Sequence, residues 1–116
     1  MNLLGSEGES LALRFLKRKG YTILARNYQT RIGEIDIIAK DGETVVFIEV
    51  KTRSSDTFAA PFESVNVTKR MKMRNVASLF LKKHSPELPA RFDVISVTRN
   101  GKGQVSIHHI RDAFEA

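Results

Sequence analysis

The chain has 116 residues, of which 41% are hydrophobic and 28% charged, so it has the size and composition of one globular domain spanning residues 1–116. Its longest apolar run, Val45-Val46-Phe47-Ile48, is too short to cross a membrane, and the lack of cysteine excludes disulfides and thiolate zinc sites. The net charge of +6 favours a nucleic-acid partner, because lysine and arginine displace counterions from phosphates.

The beginning of the chain predicts a helix without a secretory signal. Residues 1–7 lack a basic region and a long apolar region, so we expect a cytoplasmic protein. Residues 6–19 are typical of a helix, with Ser6 as its N-cap and Gly20 as its C-terminal stop. Glu9 lies within the arc of the apolar stripe, so it either faces inward or closes a capping box with Ser6.

Three strands are predicted after this helix. They are Tyr21–Tyr28, Gly33–Ala39 and Thr44–Thr52. The second and third are joined by Lys40-Asp41-Gly42-Glu43, in which Asp41-Gly42 suits a two-residue type I′ turn.

The second half of the chain predicts a long helix and two more strands. Residues 54–63 look irregular, and a helix begins at Asn66 or Thr68 and ends at His84. Strands follow at Arg91–Thr98 and Gln104–Ile110. The order of helix, three strands, helix and two strands predicts an α/β fold with a mixed sheet and at least one crossover helix.

Acidic residues share one face of the predicted hairpin. With Asp41-Gly42 as the turn, Glu34 faces Glu49 and Asp36 faces Phe47. The alternation of side chains then puts the polar residues Glu34, Asp36, Glu49 and Lys51 on one face. The opposite face receives Ile35, Ile37, Val46, Ile48 and Val50. A three-residue turn would shift the register by one and scatter the acids.

This acidic cluster predicts a site for a hard divalent cation. Facing carboxylates repel each other and raise one another's pKa unless a cation neutralises them. Mg²⁺ or Mn²⁺ takes oxygen ligands and keeps several waters, one of which can attack a phosphodiester. Lys51 can then orient that water or stabilise developing charge. The alternative is that these acids are salt-bridge partners on a solvated face.

Basic residues near the cluster are candidates for phosphate binding. Arg53 is expected on the same face of the third strand as Glu49 and Lys51, and its guanidinium can bind a phosphate bidentately. Lys69 aligns with the apolar stripe at the start of the second helix, followed by Arg70. The alternative for Lys69 is a stem that packs on the core while the ammonium reaches solvent. The adjacent pair His108-His109 is not a good metal site, because neighbouring strand residues point to opposite faces.

Several short segments together resemble a known family. Between Gly8 and Asp93 they are Gly8-Glu9 with Ala12, Gly20-Tyr21, Arg26-Asn27, Gly33-Glu34-Ile35-Asp36, Phe47-Ile48-Glu49-Val50-Lys51, Arg53, Lys69 and Arg91-Phe92-Asp93. On these residues the chain resembles the small bacterial YraN-like family (UPF0102), whose members look like restriction-endonuclease-fold nucleases of the PD-(D/E)xK type. Ile35 stands where the name of that superfamily expects proline.

The resemblance implies an αβββαβ core and a Mg²⁺- or Mn²⁺-dependent endonuclease acting on DNA, including branched repair or recombination intermediates. It implies that Asp36 and Glu49 are metal ligands and Lys51 the catalytic lysine. Glu9 is then similar to the helical glutamate of archaeal Holliday-junction resolvases, with Glu34 supporting the metal. Resolvases act as dimers, so a homodimer is compatible with the resemblance. The alternatives are a non-catalytic nucleic-acid-binding module with the same fold and a protein-interaction domain.

Overall fold

The computed structural model describes residues 5–54, 66–84 and 86–114, which form two helices and five strands. In chain order these are α1 Gly5–Arg18, β1 Thr22–Thr30, β2 Gly33–Asp41, β3 Thr44–Ser54, α2 Val67–His84, β4 Ala90–Arg99 and β5 Val105–Phe114. Apart from Ser54, which ends β3, the segment expected to be irregular lies almost wholly outside the described residues. The strands run a few residues longer than predicted, and β5 continues past Ile110 to Phe114.

The five strands form one mixed sheet in the order β1-β2-β3-β4-β5. Only β3 and β4 are parallel, and α2 makes the crossover between them. A parallel neighbour requires such a crossover, whereas short turns connect the antiparallel pairs. The predicted α/β class and mixed sheet are therefore confirmed, and the element order is compatible with a restriction-endonuclease-like core.

Both faces of the sheet are covered, each by one helix. The α2-side cluster consists of buried side chains around Phe47, Phe80 and Phe92. The α1-side cluster contains Leu16 and Ile48 among its buried members. Sheets buried on both faces have strands that read as nearly continuous apolar runs, which explains the uninterrupted Val45–Ile48 segment in β3.

The register of the β2–β3 hairpin differs from the prediction by two residues. Asp41 pairs with Thr44, so the turn consists of Gly42 and Glu43. Gly42 has φ 60°, which places it at the first central position that a type II′ turn reserves for glycine. The predicted pairings of Glu34 with Glu49 and Asp36 with Phe47 are thus wrong; Phe47 pairs with Ile38 instead. A register shift of two residues does not by itself move a side chain to the other face of the sheet, because side chains alternate between the faces with a period of two.

The predicted apolar face is also wrong at one residue. Ile37 and Ile48 pack in the α1-side cluster as expected, and Val50 packs against it. Ile35 instead belongs to the α2-side cluster, although only Asp36 separates it from Ile37. Strand β2 therefore changes its facing at Asp36, immediately beyond the last residue that pairs with β3.

The helix starts are set by different means. Asn66 caps α2, because its side-chain oxygen accepts a hydrogen bond from the Lys69 amide at 2.8 Å. Helix α1 begins at Gly5, one residue before the serine that the sequence favours as its N-cap.

Neither described helix has the length and apolar character needed to traverse a bilayer.

Candidate active site

The candidate site lies where β2 and β3 separate. Ile37 and Ile48 form the last pair of this ladder, and Asp36 and Glu49 are the next residues on the two strands. Beyond Ile37 and Ile48, the Val50 amide no longer bonds to the backbone of β2. It donates instead to Oδ2 of the Asp36 side chain at 2.8 Å. The separation thus fixes one oxygen of Asp36 next to Glu49. We call Asp36 and Glu49 the carboxylate pair.

Glu49 is a buried carboxylate with two lysines on one oxygen. The residue is only 4% exposed. Its Oε1 lies 3.0 Å from Nζ of Lys69 and 3.4 Å from Nζ of Lys51. Its Oε2 is buried and has no hydrogen-bond partner among the described residues. An unsatisfied buried oxygen is costly in a folded protein, and this atom retains its capacity to accept a hydrogen bond or to bind a cation.

Asp36 is in an environment that opposes its ionisation. Burial and then the negative charge of Glu49 raise its pKa to about 7, with a further contribution from Glu9. The amide of Val50 and the charge of Lys69 act in the other direction. Such a shift is typical of carboxylates gathered without their cation, because each disfavours the charge of the other.

Lys69 joins α2 to the carboxylate pair. Burial disfavours its charged form, but the hydrogen bond and charge of Glu49, followed by the charges of Asp36 and Glu34, raise its pKa above the usual value. Lys69 is therefore held as an ammonium ion at neutral pH. The cap at Asn66 fixes the first turn of α2 and thereby this contact.

Glu9 reaches the site from α1 because of the glycine before it. Gly8 is buried, and a Cβ atom added there would overlap Cγ2 of Thr52 on β3. Glycine therefore allows α1 to lie directly on β3, and it carries Glu9 close enough for its charge to act on Asp36. Arg26 of β1 forms an ion pair with Glu9, with its Nε 4.0 Å from Oε1 of the glutamate. The sequence showed neither the packing role of Gly8 nor this contact of Arg26.

The other predicted residues lie in different surroundings. Glu34 is exposed, accepts a hydrogen bond from Gln29 at 3.1 Å, and acts on Lys69 through its charge. Nε of Arg53 and Nε of Arg70 are buried without hydrogen-bond partners in the described part of the chain. Arg70 leans towards β5, with its guanidinium carbon 6.0 Å from the centre of the Phe114 ring.

Two carboxylates, rather than four, form the centre of the site. Within residues 5–54, 66–84 and 86–114, no three Asp, Glu or His side chains are grouped closely enough to hold one metal ion. The wider set with Glu9 and Glu34 is thus not assembled around the pair here. A pair still suits Mg²⁺, which commonly binds to one or two carboxylates and keeps several waters. The unpartnered Oε2 of Glu49 fits such an ion.

A second buried polar network lies on the α1 side of the sheet. Asp93 is fully buried and accepts hydrogen bonds from Arg91, from the Asp112 amide and from the ring of His109 at 2.7 Å. Arg91 also donates to Asp41 and to the Tyr21 hydroxyl. Both oxygens of Asp93 are satisfied, so this network links β4, β5 and the hairpin rather than binding a ligand. No local pattern in the sequence connects His109 with Asp93.

Comparison with other proteins places the chain among a group of bacterial sequences. It is 50% identical to a UPF0102 protein of Thermodesulfovibrio yellowstonii over 111 residues, which cover 96% of this chain and 95% of that protein. It is 48% identical to a UPF0102 protein of Geobacter metallireducens, with 97% and 92% covered, and 45% identical to one of Caldicellulosiruptor saccharolyticus, with 96% of each covered. The sequence profile of the uncharacterised protein family UPF0102 matches residues 8–97. This match includes the carboxylate pair and both of its lysines, and the chain therefore belongs to UPF0102.

Proposed function

We propose that the protein is a divalent-metal-dependent endonuclease that hydrolyses phosphodiester bonds in DNA. The observation that carries this proposal is the buried Oε2 of Glu49, which has no described partner and lies beside a second carboxylate, Asp36. Two lysines stand at the same place, so the site joins acidic oxygens for a cation with ammonium groups for a phosphate. The net charge of +6 supports a polyanionic substrate. A cytoplasmic location accords with such a substrate.

Each residue has a role that follows from its position. Asp36 and Glu49 would hold Mg²⁺ or Mn²⁺, while Glu9 and Glu34 would support the site through their charges, Glu9 acting on Asp36 and Glu34 on Lys69. When bound, the ion would activate a water molecule and polarise the phosphoryl oxygen. Lys51, with its side chain 25% exposed, neutralises Glu49 and can turn towards the attacking water or the developing charge. Lys69, Arg53 and Arg70 would bind phosphates.

A nicking assay tests the proposal. Supercoiled plasmid and a four-way DNA junction are incubated with the protein and Mg²⁺ or Mn²⁺, and the products are separated by electrophoresis. We expect nicking that Asp36→Ala and Lys51→Ala each reduce by at least about a hundredfold, since each removes a group that acts on the reacting phosphate. Glu43→Ala is the matched control, because Glu43 is an exposed acid in the hairpin turn.

The alternative function is a nucleic-acid-binding module without catalysis. The ion pairs of Glu49 with Lys51 and Lys69 favour it, because they neutralise the acid without a metal. Under this alternative the protein binds DNA with a strong salt dependence and cuts none of the substrates with either ion. A DNA affinity that does not fall with added salt would contradict both functions, since phosphate contacts must release counterions.

A further inference from the structure

An exposed apolar surface lies between the tip of the β1–β2 hairpin and α2. We call residues 30–33 the hairpin tip. Ile32 in this tip is 45% exposed and Leu79 of α2 is 48% exposed. Together with Gln29, Thr30 and Arg31 they line a cavity of about 610 Å³. This volume is within the range of pockets that bind small molecules.

The hairpin tip is held in place rather than free. The Thr30 hydroxyl donates to the Gly33 carbonyl at 3.0 Å and accepts from the Ile32 amide at 3.2 Å. Gly33 has φ 154°, and a Cβ atom there would contact the side chains of Val76 and Lys72 at 3.5 and 3.6 Å. The tip therefore packs against α2, and its apolar wall is formed before any ligand arrives.

A chain of polar contacts connects this cavity with the carboxylate pair. Gln29 lines the cavity and donates a hydrogen bond to Glu34. Glu34 in turn acts through its charge on Lys69, which is bound to Glu49. Leu79 lies ten residues, or about 15 Å along α2, from Lys69, so a nucleic acid with one phosphate at Lys69 would reach the hairpin tip a few nucleotides further along its strand.

The chemistry of the cavity suits a nucleobase that has lost its pairing partner. Apolar side chains offer a packing surface for a flat ring, and Arg31 on the wall adds a positive charge that attracts the phosphate of the same nucleotide. The hydroxyl of Thr30 is already engaged within the hairpin, and the side-chain nitrogen of Gln29 already donates to Glu34. Recognition by packing rather than by hydrogen bonds should accept any base.

We propose that Ile32 and Leu79 form a subsite for an unpaired nucleobase of the DNA substrate, a few nucleotides from the phosphate bound at Lys69. The proposal rests on the proposed nuclease function, and it makes DNA with a single-stranded extension a preferred ligand over blunt duplex. Neither the family assignment nor the carboxylate pair requires such a preference.

The test compares three DNA ligands by fluorescence anisotropy with EDTA present, so that no strand is cut. They are a blunt duplex, the same duplex with a thymine extension, and the same duplex with an abasic extension that keeps the phosphates but lacks the bases. We expect the thymine extension to bind about fivefold or more tighter than the abasic one, and Ile32→Ser and Leu79→Ser to abolish this difference. Val105→Ser is the matched control, since Val105 is 39% exposed on β5 at the opposite edge of the sheet.

The outcomes separate this proposal from the nuclease function. Equal affinity for the thymine and abasic extensions overturns the nucleobase subsite, while plasmid nicking by the same preparation leaves the nuclease proposal standing. A thymine preference that survives in both serine variants also overturns the subsite, because the bases are then bound elsewhere. If the wild-type protein binds none of the three ligands and cuts no DNA, both proposals are wrong.

Discussion

The ammonium nitrogen of Lys69 lies 3.0 Å from Oε1 of Glu49, while Oε2 of the same carboxylate has no partner among the described residues. The first turn of α2 therefore neutralises one oxygen of a buried acid and leaves the other oxygen without a described partner, while the charge of this acid acts on Asp36. A site that existed only to bury an ion pair would satisfy both oxygens. This asymmetry supports the proposal that the carboxylate pair binds a cation.

We expect Asp36→Asn to stabilise the metal-free protein and to abolish its response to metal. The amide keeps an oxygen for the Val50 hydrogen bond but removes the negative charge that burial and Glu49 disfavour. Thermal unfolding at pH 8 in EDTA should show a higher Tm for the variant. Added Mn²⁺ should raise the Tm of the wild type alone, since binding to the native state stabilises it. A wild-type Tm that ignores Mn²⁺ would contradict the carboxylate pair as a metal site.

We expect Lys69→Met to destabilise the metal-free protein by about 1–2 kcal/mol. The change leaves the buried Glu49 with one lysine, and the cost stays below that of a fully buried pair because the Lys69 side chain is 38% exposed. Urea unfolding in EDTA measures the difference. Lys72→Met on the exposed part of the same helix is the control and should change the free energy of unfolding by less than about 0.5 kcal/mol.

The sequence predicted the order of the elements and the shared side of Glu49 and Lys51, whose charged groups lie 3.4 Å apart, but not the change of facing of β2 at Asp36. Side chains alternate with a period of two, so the shift from an Asp41-Gly42 turn to a Gly42-Glu43 turn preserves the facing of Glu49 and Lys51. The hairpin register itself was predicted incorrectly. Asp41-Gly42 as the two central residues suits a type I′ turn, whereas Gly42 as the first central residue suits a type II′ turn. The pairing of Asp41 with Thr44 decides between them, and Asp41 does not have the positive φ that the first residue of a type I′ turn needs.

Other features depend on tertiary packing that no local pattern encodes. The change of facing at Asp36 sends Ile35 to the α2-side cluster, and it arises only where β3 stops pairing with β2. His109 of β5 bonds to Asp93 of β4, at the place where the register of these two strands shifts between Phe92 and Val94. Periodicity within one strand cannot show which distant side chain will meet a buried acid.

We expect the Asp93 network to make the protein sensitive to acid. Burial alone would raise the pKa of Asp93, but hydrogen bonds from His109, Arg91 and the Asp112 amide outweigh it and lower the pKa below its usual value. The stabilisation from this charge is fully present above the unfolded pKa of about 3.9 and is lost as the pH falls through the lower folded pKa.

Urea unfolding at a series of pH values measures this loss. Asp93→Asn should cost about 3 kcal/mol at pH 7, because it leaves Arg91 with a weaker partner, and it should show a smaller decline below pH 4. Glu43→Gln in the exposed turn should follow the wild-type curve. An Asp93→Asn variant with wild-type stability at pH 7 would show that the network contributes little.

The close approach of α1 to β3 predicts a specific pair of substitutions. Gly8→Ala should destabilise the protein by about 2 kcal/mol, because the new Cβ overlaps Cγ2 of Thr52 and forces the helix away from the sheet. Thr52→Ala removes that methyl group and should recover about 1 kcal/mol in the double variant, measured by urea unfolding as a double-mutant cycle.

Gly5→Ala is the matched control for this pair, since nothing lies within 4 Å of a Cβ atom at Gly5 and alanine favours a helix. The same displacement of α1 would carry Glu9 away from Asp36, so Gly8→Ala should also weaken Mn²⁺-induced stabilisation, and Thr52→Ala should restore part of it. Additive effects of the two substitutions on stability would show that α1 has room to accept the methyl group without moving. In that case Gly8 would not be the residue that positions Glu9.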